Sequence, residues 1–428
     1  MKVLWLSNID LRNKRLTASG TWMSSMYLAL KRHTSVKVCA NITTYKGYDP
    51  EFATVGDINH YYLPNNYMNS ENAPESKAKD FIKKVILKEK PDLIHIWGTE
   101  KCWGLTLDED ILKTIPVLLE IQGLMFFLGG APFYGGLSDN EVRKMRGLVE
   151  LRYPQAKLEN QKKRFVQCGE REKLILQRYQ HINTQSEWVR DILLWYAPNA
   201  TTYKTDIILR DSFLRSELWT SVHKRGNAPI LFTTTSRAPY KGLHFTLKAF
   251  ALVLQKYPNA KLRVAGLGFH PVKWKNSGYL RYLMDLMKEL KIENNVDMLD
   301  SLDESALLEE MYHADVYVTS TYVESYCLAL AEPLAVGMPC VAPYTSALPD
   351  LITSGENGIL YPPTDYHACA SEIIKILRDE ERGVELGREA ASRQRGRSEA
   401  KRVAQNQEKI YNEVIEAYGN TKVIDSRD

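Results

Sequence analysis

The sequence predicts an α/β protein with two doubly wound parallel sheets, one in each half of the chain. Short apolar runs alternate with amphipathic stretches almost throughout the 428 residues, which is the pattern of βα units. The length exceeds what one core usually serves, and the alternation stops over a charged stretch at 210–227 before it restarts. We therefore expect domains at 1–215 and 216–397, followed by a C-terminal helix and tail at 398–428.

Apolar runs of strand length predict buried strands, and the longer amphipathic stretches between them predict helices. The first half has predicted strands at Val3–Leu6, Val36–Cys39, Leu93–Trp97, Val117–Ile121, His181–Thr184 and Thr202–Ile208, and helices at Thr21–Lys31, Ser76–Lys88, Cys102–Lys113 and Glu187–Tyr196, with a long polar, helix-prone segment at 140–180. The second half has predicted strands at Ile230–Thr234, Lys261–Ala265, Val296–Leu299, Val316–Val318 and Pro339–Ala342, and helices at Leu243–Lys256, Leu280–Leu290, Glu304–His313, Tyr326–Gly337 and Glu399–Tyr418. Because ligands bind at the carboxyl ends of such strands, we expect a site in a cleft between the domains.

The composition is that of a soluble globular protein, with 44% hydrophobic and 25% charged residues. The net charge of +4 is too small to argue for a nucleic-acid partner, and none is expected. Six cysteines without a CxxC pair predict a reduced, cytoplasmic protein rather than a disulfide framework or a zinc site. No apolar run approaches the roughly 18 residues of a membrane span, and the first residues predict a strand rather than a signal peptide.

Two glutamates, Glu324 and Glu332, flank the start of the predicted helix Tyr326–Gly337. They lie on roughly the same face, because eight residues rotate by about 80° beyond two full turns. Backbone N–H groups at a helix N-terminus bind phosphate, and carboxylates bind hydroxyl groups. This stretch therefore predicts a site for a phosphorylated, hydroxyl-rich ligand.

The loop from Thr234 to Gly242 places Arg237 and Lys241 at the carboxyl end of a predicted strand. Two fixed cations there can neutralise a diphosphate leaving group without a metal. A solvated turn is the alternative for this loop taken alone, and the nearby glutamates favour the ligand site.

Two loops of the first half are further candidates. Gly20 and Thr21 join the first strand to the first helix, where a glycine lets the backbone approach a phosphate and a cap is the equal alternative. Gln122 follows the strand Val117–Ile121, where its amide can bond a sugar hydroxyl or simply occupy a turn.

Two motifs carry less weight. Gly266-Leu267-Gly268 lacks the third glycine of a dinucleotide fingerprint. Asp108-Glu109-Asp110 resembles a DxD metal motif, but it lies inside a helical pattern, so a solvated helix face is the preferred interpretation. No metal site is expected.

The segment Leu124–Leu137 is apolar, aromatic and glycine-rich. Exposed, it would contact a membrane or an acceptor; a buried lid is the alternative. The segment 141–178 that follows carries eleven Lys and Arg against five Glu, which suits an anionic membrane surface or an ordinary solvated helix.

The segment Ala314–Pro363 resembles the family of retaining glycosyltransferases known as group 1 or family 4. It has the family's E-x7-E spacing, the small-residue helix, the G-x-P-x-V-A strand and the G-E-N-G-x-L-x-P-P ending. The stretch from Lys241 to Gly266 fits the same family. Pro91–Glu100, Ile121–Leu124 and Leu209–Phe213 look like a bacterial subgroup that builds surface polysaccharides.

This resemblance implies the GT-B fold, in which two Rossmann-like domains face each other across a cleft and a C-terminal helix returns toward the N-terminal domain. It also assigns roles to residues of this chain. Glu324 would bind hydroxyls of the transferred sugar and Glu332 the ribose. The backbone at Tyr326, Cys327 and Leu328 would hold the diphosphate, Lys241 and Arg237 would neutralise it, and Gly20 would let the first loop close on it. Thr21, Ser325 and Gln122 are further substrate-binding candidates.

The resemblance further implies metal-independent transfer from a nucleotide-diphosphate sugar, with a UDP-sugar favoured over a GDP-sugar, and no permanently bound cofactor. The acceptor domain would be the N-terminal one and the acceptor a glycan or lipid-linked glycan, at the cytoplasmic face of a membrane. Retention would follow from front-face displacement, with the departing diphosphate helping to deprotonate the acceptor. The alternatives are a GT-B epimerase or phosphorylase, and a non-catalytic sugar-nucleotide-binding subunit.

Three positions depart from the family pattern. Glu324-Ser-Tyr-Cys327 stands where the family usually has E-G-F-G. Gln122 stands where a histidine is frequent, and an amide cannot exchange a proton near neutral pH. Arg237 lies four residues before Lys241 rather than five.

Overall fold

The computed structural model describes residues 1–11, 21–68, 74–220, 228–267 and 278–425. The chain forms two compact units. Unit 1 comprises Met1–Phe126, Phe165–Ile208 and Ser398–Asp428, and unit 2 comprises Phe127–Arg164 and Leu209–Arg397. Residues 127–164, which the sequence analysis placed with the first domain, are thus part of unit 2.

Unit 1 is built on an eight-stranded sheet whose strands follow the order β3-β4-β2-β1-β5-β6-β7-β8. The strands are β1 Lys2–Leu6, β2 Lys37–Tyr45, β3 Glu51–Val55, β4 Ile58–Pro64, β5 Leu93–Trp97, β6 Val117–Glu120, β7 His181–Thr184 and β8 Thr201–Lys204. All neighbouring pairs are parallel except β3 with β4. Strands β5 and β6 are buried along their whole length, as expected when helices cover both faces of a parallel sheet.

Unit 2 contains a six-stranded sheet, entirely parallel, in the order β11-β10-β9-β12-β13-β14. Its strands are β9 Ile230–Thr234, β10 Lys261–Ala265, β11 Val296–Met298, β12 Val316–Val318, β13 Cys340–Pro343 and β14 Ile359–Tyr361. The two sheets confirm the predicted fold class.

Helices surround both sheets. They are α1 Thr21–His33, α2 Ser76–Glu89, α3 Glu109–Leu112, α4 Met125–Leu128, α5 Asp139–Lys144, α6 Leu148–Arg152, α7 Leu158–Leu176, α8 Glu187–Tyr196, α9 Asp211–Leu214, α10 Leu243–Leu254, α11 Tyr279–Leu290, α12 Glu304–His313, α13 Leu328–Val336, α14 Leu348–Leu351, α15 Tyr366–Arg378, α16 Glu380–Arg397 and α17 Ala400–Asp425. The predicted helix Cys102–Lys113 is wrong in extent: a 3-10 turn at Cys102–Leu105 and the short α3 replace it.

The C-terminal helix α17 belongs to unit 1, as the fold class predicted. The buried hydroxyl of Tyr411 lies 2.8 Å from Nδ1 of His95 on β5. Glu408 accepts hydrogen bonds from the backbone N–H and the hydroxyl of Ser35, at 2.8 and 2.7 Å. Contacts that join the end of the chain to its first strands stabilise unit 1 only when both segments are present.

Residues 127–164 complete the core of unit 2. Four of their apolar side chains are buried in the same hydrophobic cluster as Leu243 and Leu247 of α10; they are Leu137, Val142, Met145 and Leu158. Leu124, Phe133 and Leu137 of the apolar segment are buried, which favours the buried-lid alternative, whereas Met125–Leu128 are half-buried. The expected role of the segment as a membrane or acceptor contact stays a prediction. Phe133 and Leu137 are 2% and 7% exposed, respectively, because they pack inside the protein.

A buried histidine fixes this segment to α10. Nε2 of His244 lies 2.9 Å from the carbonyl oxygen of Gly135, and Nδ1 lies 2.7 Å from the hydroxyl of Tyr279. A carbonyl only accepts, so Nε2 carries the proton and Nδ1 accepts from Tyr279. Gly135 has φ 60°, and a Cβ there would lie 2.2 Å from the carbonyl oxygen of Pro239, so this contact requires glycine. The ring is thus held in its neutral form.

Helix α13 begins two residues later than predicted, at Leu328. The residue before it, Cys327, is buried and has φ 86°, a left-handed conformation that costs an L-residue with a Cβ roughly 1–2 kcal/mol. The helix ends at Gly337, with φ 91°, as the sequence predicted. No helix in the described part of the chain is long and apolar enough to cross a membrane.

The neutral His244 predicts acid sensitivity of unit 2. Burial lowers the pKa of His244 to about 4, against the raising effect of its bond to Gly135. In the unfolded chain the pKa is about 6.5, so the unfolded state binds more protons between these values. The free energy of unfolding of unit 2 should fall as the pH drops from 6.5 to 4, by up to about 3 kcal/mol. Denaturant titrations across this range measure it.

The variant His244→Gln is the control for this titration. Its side-chain amide can still donate to Gly135 but does not ionise. The loss of stability between pH 6.5 and 4 should shrink in the variant. An identical pH dependence in both proteins would contradict the assignment.

The conformation of Cys327 predicts an unusual order of stability between two small substitutions. Cys327→Gly and Cys327→Ala both remove the thiol, but only glycine adopts φ 86° without strain. The glycine variant should therefore be the more stable, by about 1 kcal/mol in denaturant unfolding. Cys340, also buried, lies in strand β13, where the order should be reversed. If the glycine variant were more stable than the alanine variant at both positions, or less stable at both, the prediction would be contradicted.

Candidate functional site

Strands β9 and β12 meet at the point in the unit 2 sheet where the strand order reverses. The chain runs from β9 outward to β10 and β11, and then returns to β12 on the other side of β9. Loops leave the carboxyl ends of two such strands in opposite directions, and this is where doubly wound sheets bind ligands. The loop after β9 carries Arg237 and Lys241, and the loop after β12 carries Glu324.

The structure brings Lys241 and Glu324 together. Nζ of Lys241 lies 2.6 Å from Oε1 of Glu324, and the two side chains are only 28% and 14% exposed. The hydroxyl of Thr321 also donates to this oxygen, at 3.2 Å. The backbone N–H of Glu324 donates to the hydroxyl of Ser346, at 2.9 Å, which fixes the loop.

Close backbone contacts hold the two loops side by side. The N–H of Tyr322 donates to the carbonyl of Tyr240, at 2.7 Å. Gly242 has φ 70°, and a Cβ there would lie 1.8 Å from the carbonyl oxygen of Ser320. Only glycine fits this position. Gly242 therefore allows the two loops to approach each other, and this approach brings the neighbouring Lys241 to Glu324.

The charge on Lys241 depends on Glu324. Burial alone would lower the pKa of the Lys241 ammonium, but the Glu324 carboxylate and the Cys327 thiol outweigh this and raise the pKa above its usual value. Lys241 therefore stays protonated at any physiological pH. A half-buried ammonium with one carboxylate partner can exchange that partner for another anion.

The N-terminus of α13 lies next to this pair. The thiol of Cys327 is hydrogen-bonded to Glu324, and burial raises its pKa well above the usual value, with Glu324 adding to the effect. The first N–H groups of the helix, at Leu328 and Ala329, have no partner four residues back. The backbone at Tyr326, Cys327 and Leu328, which we predict to bind a diphosphate, therefore lies near the Lys241 ammonium. Ser325, beside them, is half-buried.

Glu332, the second predicted carboxylate, is paired with Arg210. Oε1 of Glu332 accepts from Nε and Nη2 of Arg210, at 3.1 and 2.6 Å. Nη1 of Arg210 lies 3.6 Å from Oε2 of Glu304. Burial raises the pKa of Glu332, and Arg210 opposes this shift. Within the described residues Oε2 of Glu332 makes no hydrogen bond, so it is the oxygen that can accept one from a ligand hydroxyl.

Arg210 is a site residue that the sequence analysis missed, because it took this position as the start of a linker. Its side chain is only 12% exposed. The one available signal was its place directly after the apolar run Ile207–Leu209, where a strand-like segment ends.

Arg237 lies in the same loop as Lys241, but its Nε donates to the carbonyl of Leu267, at 2.8 Å. That bond ties it to the loop after β10. Its predicted role in neutralising a diphosphate stays a prediction.

The remaining predicted residues belong to unit 1. Thr21 is the first residue of α1, and Gly20 lies outside the described residues. Gln122 follows β6, is half-buried and has its Nε2 4.0 Å from Sδ of Met23. Gly268, the end of the weak glycine motif, also lies outside the described residues.

The acidic run Asp108–Asp110 forms surface ion pairs. Asp108 pairs with Lys79 at 2.9 Å and Glu109 with Arg178 at 3.0 Å. In the part of the chain that the structure describes, no three His, Cys, Asp or Glu side chains are grouped as metal ligands would be.

Part of the chain matches a known family of proteins. Residues 216–393 match the family model described as glycosyl transferases group 1. D-inositol 3-phosphate glycosyltransferase of Corynebacterium glutamicum is 29% identical over 177 residues, which are 41% of this chain and 41% of that protein. N-acetyl-alpha-D-glucosaminyl L-malate synthase of Bacillus anthracis is 29% identical over 141 residues, 33% of this chain and 36% of that protein. The matches thus span about two fifths of these relatives or less.

Solved structures resemble the whole chain. Sucrose-phosphate synthase of Thermosynechococcus elongatus has a TM-score of 0.70 at 17% identity, covering 97% of this chain and 99% of that one. Anabaena HepE, solved with UDP-glucose, has a TM-score of 0.62 at 13% identity, covering 96% of this chain and 100% of that one. Together with the two parallel sheets, the comparisons identify residues 216–393 as a domain of the glycosyl transferases group 1 family, in a chain with the GT-B fold.

Proposed function

We propose that this protein is a retaining, metal-independent glycosyltransferase that moves a sugar from a nucleoside-diphosphate sugar to a glycan or lipid-linked glycan. The observation that carries the proposal is the half-buried Lys241–Glu324 pair beside the N-terminus of α13. It lies within the segment that matches the group 1 family. Relatives of the same fold include a structure solved with UDP-glucose, which supports a UDP-sugar as the donor, with a GDP-sugar as the alternative.

In this proposal the diphosphate binds where backbone donors and cations converge. The N–H groups at the start of α13 face its oxygens, and Lys241 neutralises its charge as the sugar leaves. Arg237 of the same loop adds a further contact, and Gly20 and Thr21 stay candidates for donor binding from the sequence. These positive groups perform the task that a metal ion performs in other transferases.

The two glutamates bind the hydroxyl groups of the donor. When the diphosphate takes over Lys241, Glu324 is left with a free carboxylate beside the sugar, and it accepts hydrogen bonds from the sugar hydroxyls. Glu332 keeps Arg210 on Oε1 and offers Oε2 to the ribose. The ion pairs of the free protein thus hold both carboxyl groups in place before the donor arrives.

Retention is what the resemblance to the group 1 family implies. No side chain among the described residues of the site is placed as a nucleophile, which favours displacement on one face over a double displacement. Glu324 is bonded to Lys241 and to Thr321, which suits hydroxyl binding rather than attack on carbon. The acceptor oxygen then forms its bond on the face from which the diphosphate leaves. Unit 1 serves as the acceptor domain, with Gln122 as one contact.

We further propose that the basic segment 141–178 contacts an anionic membrane at its cytoplasmic face, as suits a lipid-linked acceptor. Helix α6 exposes Leu148 and Leu151, at 68% and 69%, beside Arg152. Apolar side chains flanked by cations bind anionic lipid surfaces.

Membrane contact is testable with vesicles. The wild-type protein should co-sediment with vesicles that contain phosphatidylserine more than with purely zwitterionic ones. The double substitution Leu148→Ser with Leu151→Ser should weaken this binding several-fold, whereas Leu87→Ser, an equally exposed leucine on α2, should not. Equal binding by all three proteins would contradict the proposal.

Nucleotide binding tests the proposed function directly. A thermal-shift series with UDP, GDP and ADP should show stabilisation by one of them, since a ligand at 100 times its Kd stabilises the folded state by about 2.7 kcal/mol. Lys241→Ala should weaken binding of that nucleotide roughly 10- to 150-fold, the range for a lost charged hydrogen bond. Lys256→Ala removes an exposed lysine of the same unit and should leave binding unchanged.

Turnover separates the enzyme from its alternatives. Release of the nucleoside diphosphate from its sugar should fall at least 100-fold in Glu324→Ala, because the sugar loses its main carboxylate contact. Nucleotide binding without turnover on any acceptor would favour a non-catalytic sugar-nucleotide-binding subunit. Stabilisation by none of the three nucleotides would contradict the enzyme proposal itself.

A further inference from the structure

One short segment of unit 2, residues 131–137, lies against the loop after β9, which belongs to the same unit. The ring of Phe133, a buried side chain, has its centre 6.4 Å from the centre of the Tyr240 ring. At Gly135 a Cβ would lie 2.2 Å from the carbonyl oxygen of Pro239. The segment therefore touches the two residues that come directly before the lysine of the ion pair.

The same segment lies against the loop after β12. Gly136 has φ 76°, and a Cβ there would lie 2.0 Å from the hydroxyl oxygen of Tyr322 and 3.6 Å from Cζ of Phe245. Tyr322 comes two residues before Glu324. Its N–H donates to the carbonyl of Tyr240, at 2.7 Å. One segment thus contacts both loops of the ion pair, at the residues through which the loops bond each other.

Contacts on both sides of the glycines hold the segment in place. Before them, the ammonium of Lys162 lies 4.5 Å from the centre of the Tyr134 ring. After them, the hydroxyl of Ser138 caps α5 by accepting from the N–H of Glu141, at 3.3 Å, and the Glu141 carboxylate accepts from the N–H of Ser138, at 2.8 Å. The same carboxylate accepts from the hydroxyl of Tyr282 on α11, at 3.1 Å. Because a close-packed segment transmits strain, a displacement here passes to the loops.

We propose that residues 131–137 position the Lys241–Glu324 pair for donor binding, an inference that rests on the proposed function. The segment fixes Tyr240 and Tyr322, and through them it sets the distance between the loop that carries the cation and the loop that carries the carboxylate. The two groups then meet the diphosphate and the sugar hydroxyls in one defined arrangement.

Small displacements matter at this contact. A Cβ essentially never lies closer than 3.0 Å to another heavy atom, so a side chain at Gly135 would force the segment and the Pro239 carbonyl about 0.8 Å apart, from 2.2 to 3.0 Å. Charge-assisted hydrogen bonds weaken with distance and misalignment, and a misplacement of about 1 Å can cost roughly 10²-fold in rate. The close fit at the glycines is therefore expected to show in donor binding and turnover.

Gly135→Ala tests the inference through the loop after β9. Below its melting temperature, the variant should bind the nucleoside diphosphate that stabilises the wild-type protein roughly 10- to 100-fold more weakly in calorimetric titration, and kcat for release of that diphosphate from its sugar should also fall. Gly355→Ala is the matched control in the same unit. Gly355 has φ 84°, and no described residue lies within 4 Å of the position of its Cβ. The control therefore carries the backbone strain without the clash, and it should lose stability but keep its nucleotide affinity.

Gly136→Ala tests the same contact through the loop after β12. Its Cβ would meet the hydroxyl of Tyr322, so nucleotide binding should weaken here as well. Combining it with Tyr322→Phe removes that hydroxyl and should restore much of the lost affinity relative to Tyr322→Phe alone. Backbone strain at position 136 is the same in the single and the double variant, so strain alone predicts no recovery.

The outcomes separate this inference from the proposed function. Wild-type affinity and kcat in folded Gly135→Ala, or in folded Gly136→Ala where the first variant does not fold, would overturn the inference while leaving the proposed function standing. A loss of affinity in Gly355→Ala as large as in the two test variants, or no recovery in the double variant, would also overturn it. A wild-type protein that binds none of the nucleotides and releases no diphosphate would overturn both.

Discussion

The ion pair between Lys241 and Glu324 is the interaction on which the unit 2 site depends. Removing two charges from water is costly, and their mutual attraction repays this only when the geometry is close and the other atoms are satisfied. Here the separation is 2.6 Å, and Thr321 satisfies the same carboxylate oxygen. Gly242 makes the approach possible by letting the loop after β9 touch the end of β12. The pair therefore keeps a basic and an acidic side chain in contact at one point of the site.

A second pair repeats this arrangement midway along helix α13. Arg210 neutralises Glu332 through two hydrogen bonds to one oxygen and leaves the other oxygen available. Each glutamate of the E-x7-E motif thus has a resident cation. The helix that carries Glu332 is buried along most of its length, so this carboxyl group is held by a rigid element. A ligand that bears phosphates and hydroxyls meets preformed partners of both kinds.

The sequence predicted most of this arrangement because its signals are local. Apolar runs located the parallel strands, and α8 and α12 begin and end at the predicted residues. Glu324, Glu332 and Lys241 were identified from their spacing and from the loops that carry them. The contact between Glu332 and Arg210 was not predicted. The two residues are 122 positions apart, and no local pattern encodes such a contact.

Other features escaped prediction for related reasons. Strands β3 and β4 lie at the sheet edge and carry polar and aromatic residues, so they lack the apolar run of a buried strand, although the two-residue turn Gly56-Asp57 between them was a usable signal. The burial of Leu124–Leu137 was left open because an apolar loop looks the same whether it covers a core or faces a membrane. Membership of residues 127–164 in unit 2 depends on which core accepts their side chains, and composition does not say which.

The central claim is that Glu324 occupies Lys241 until a diphosphate replaces it. Calorimetric titration of Glu324→Gln with the nucleoside diphosphate that stabilises the wild-type protein tests this most directly. Because the substitution frees the ammonium and removes a negative charge near the phosphates, binding should become tighter, by about 1 kcal/mol or roughly five-fold. Unchanged or weaker binding would contradict the account, since it would mean that Lys241 is not the cation that Glu324 withholds.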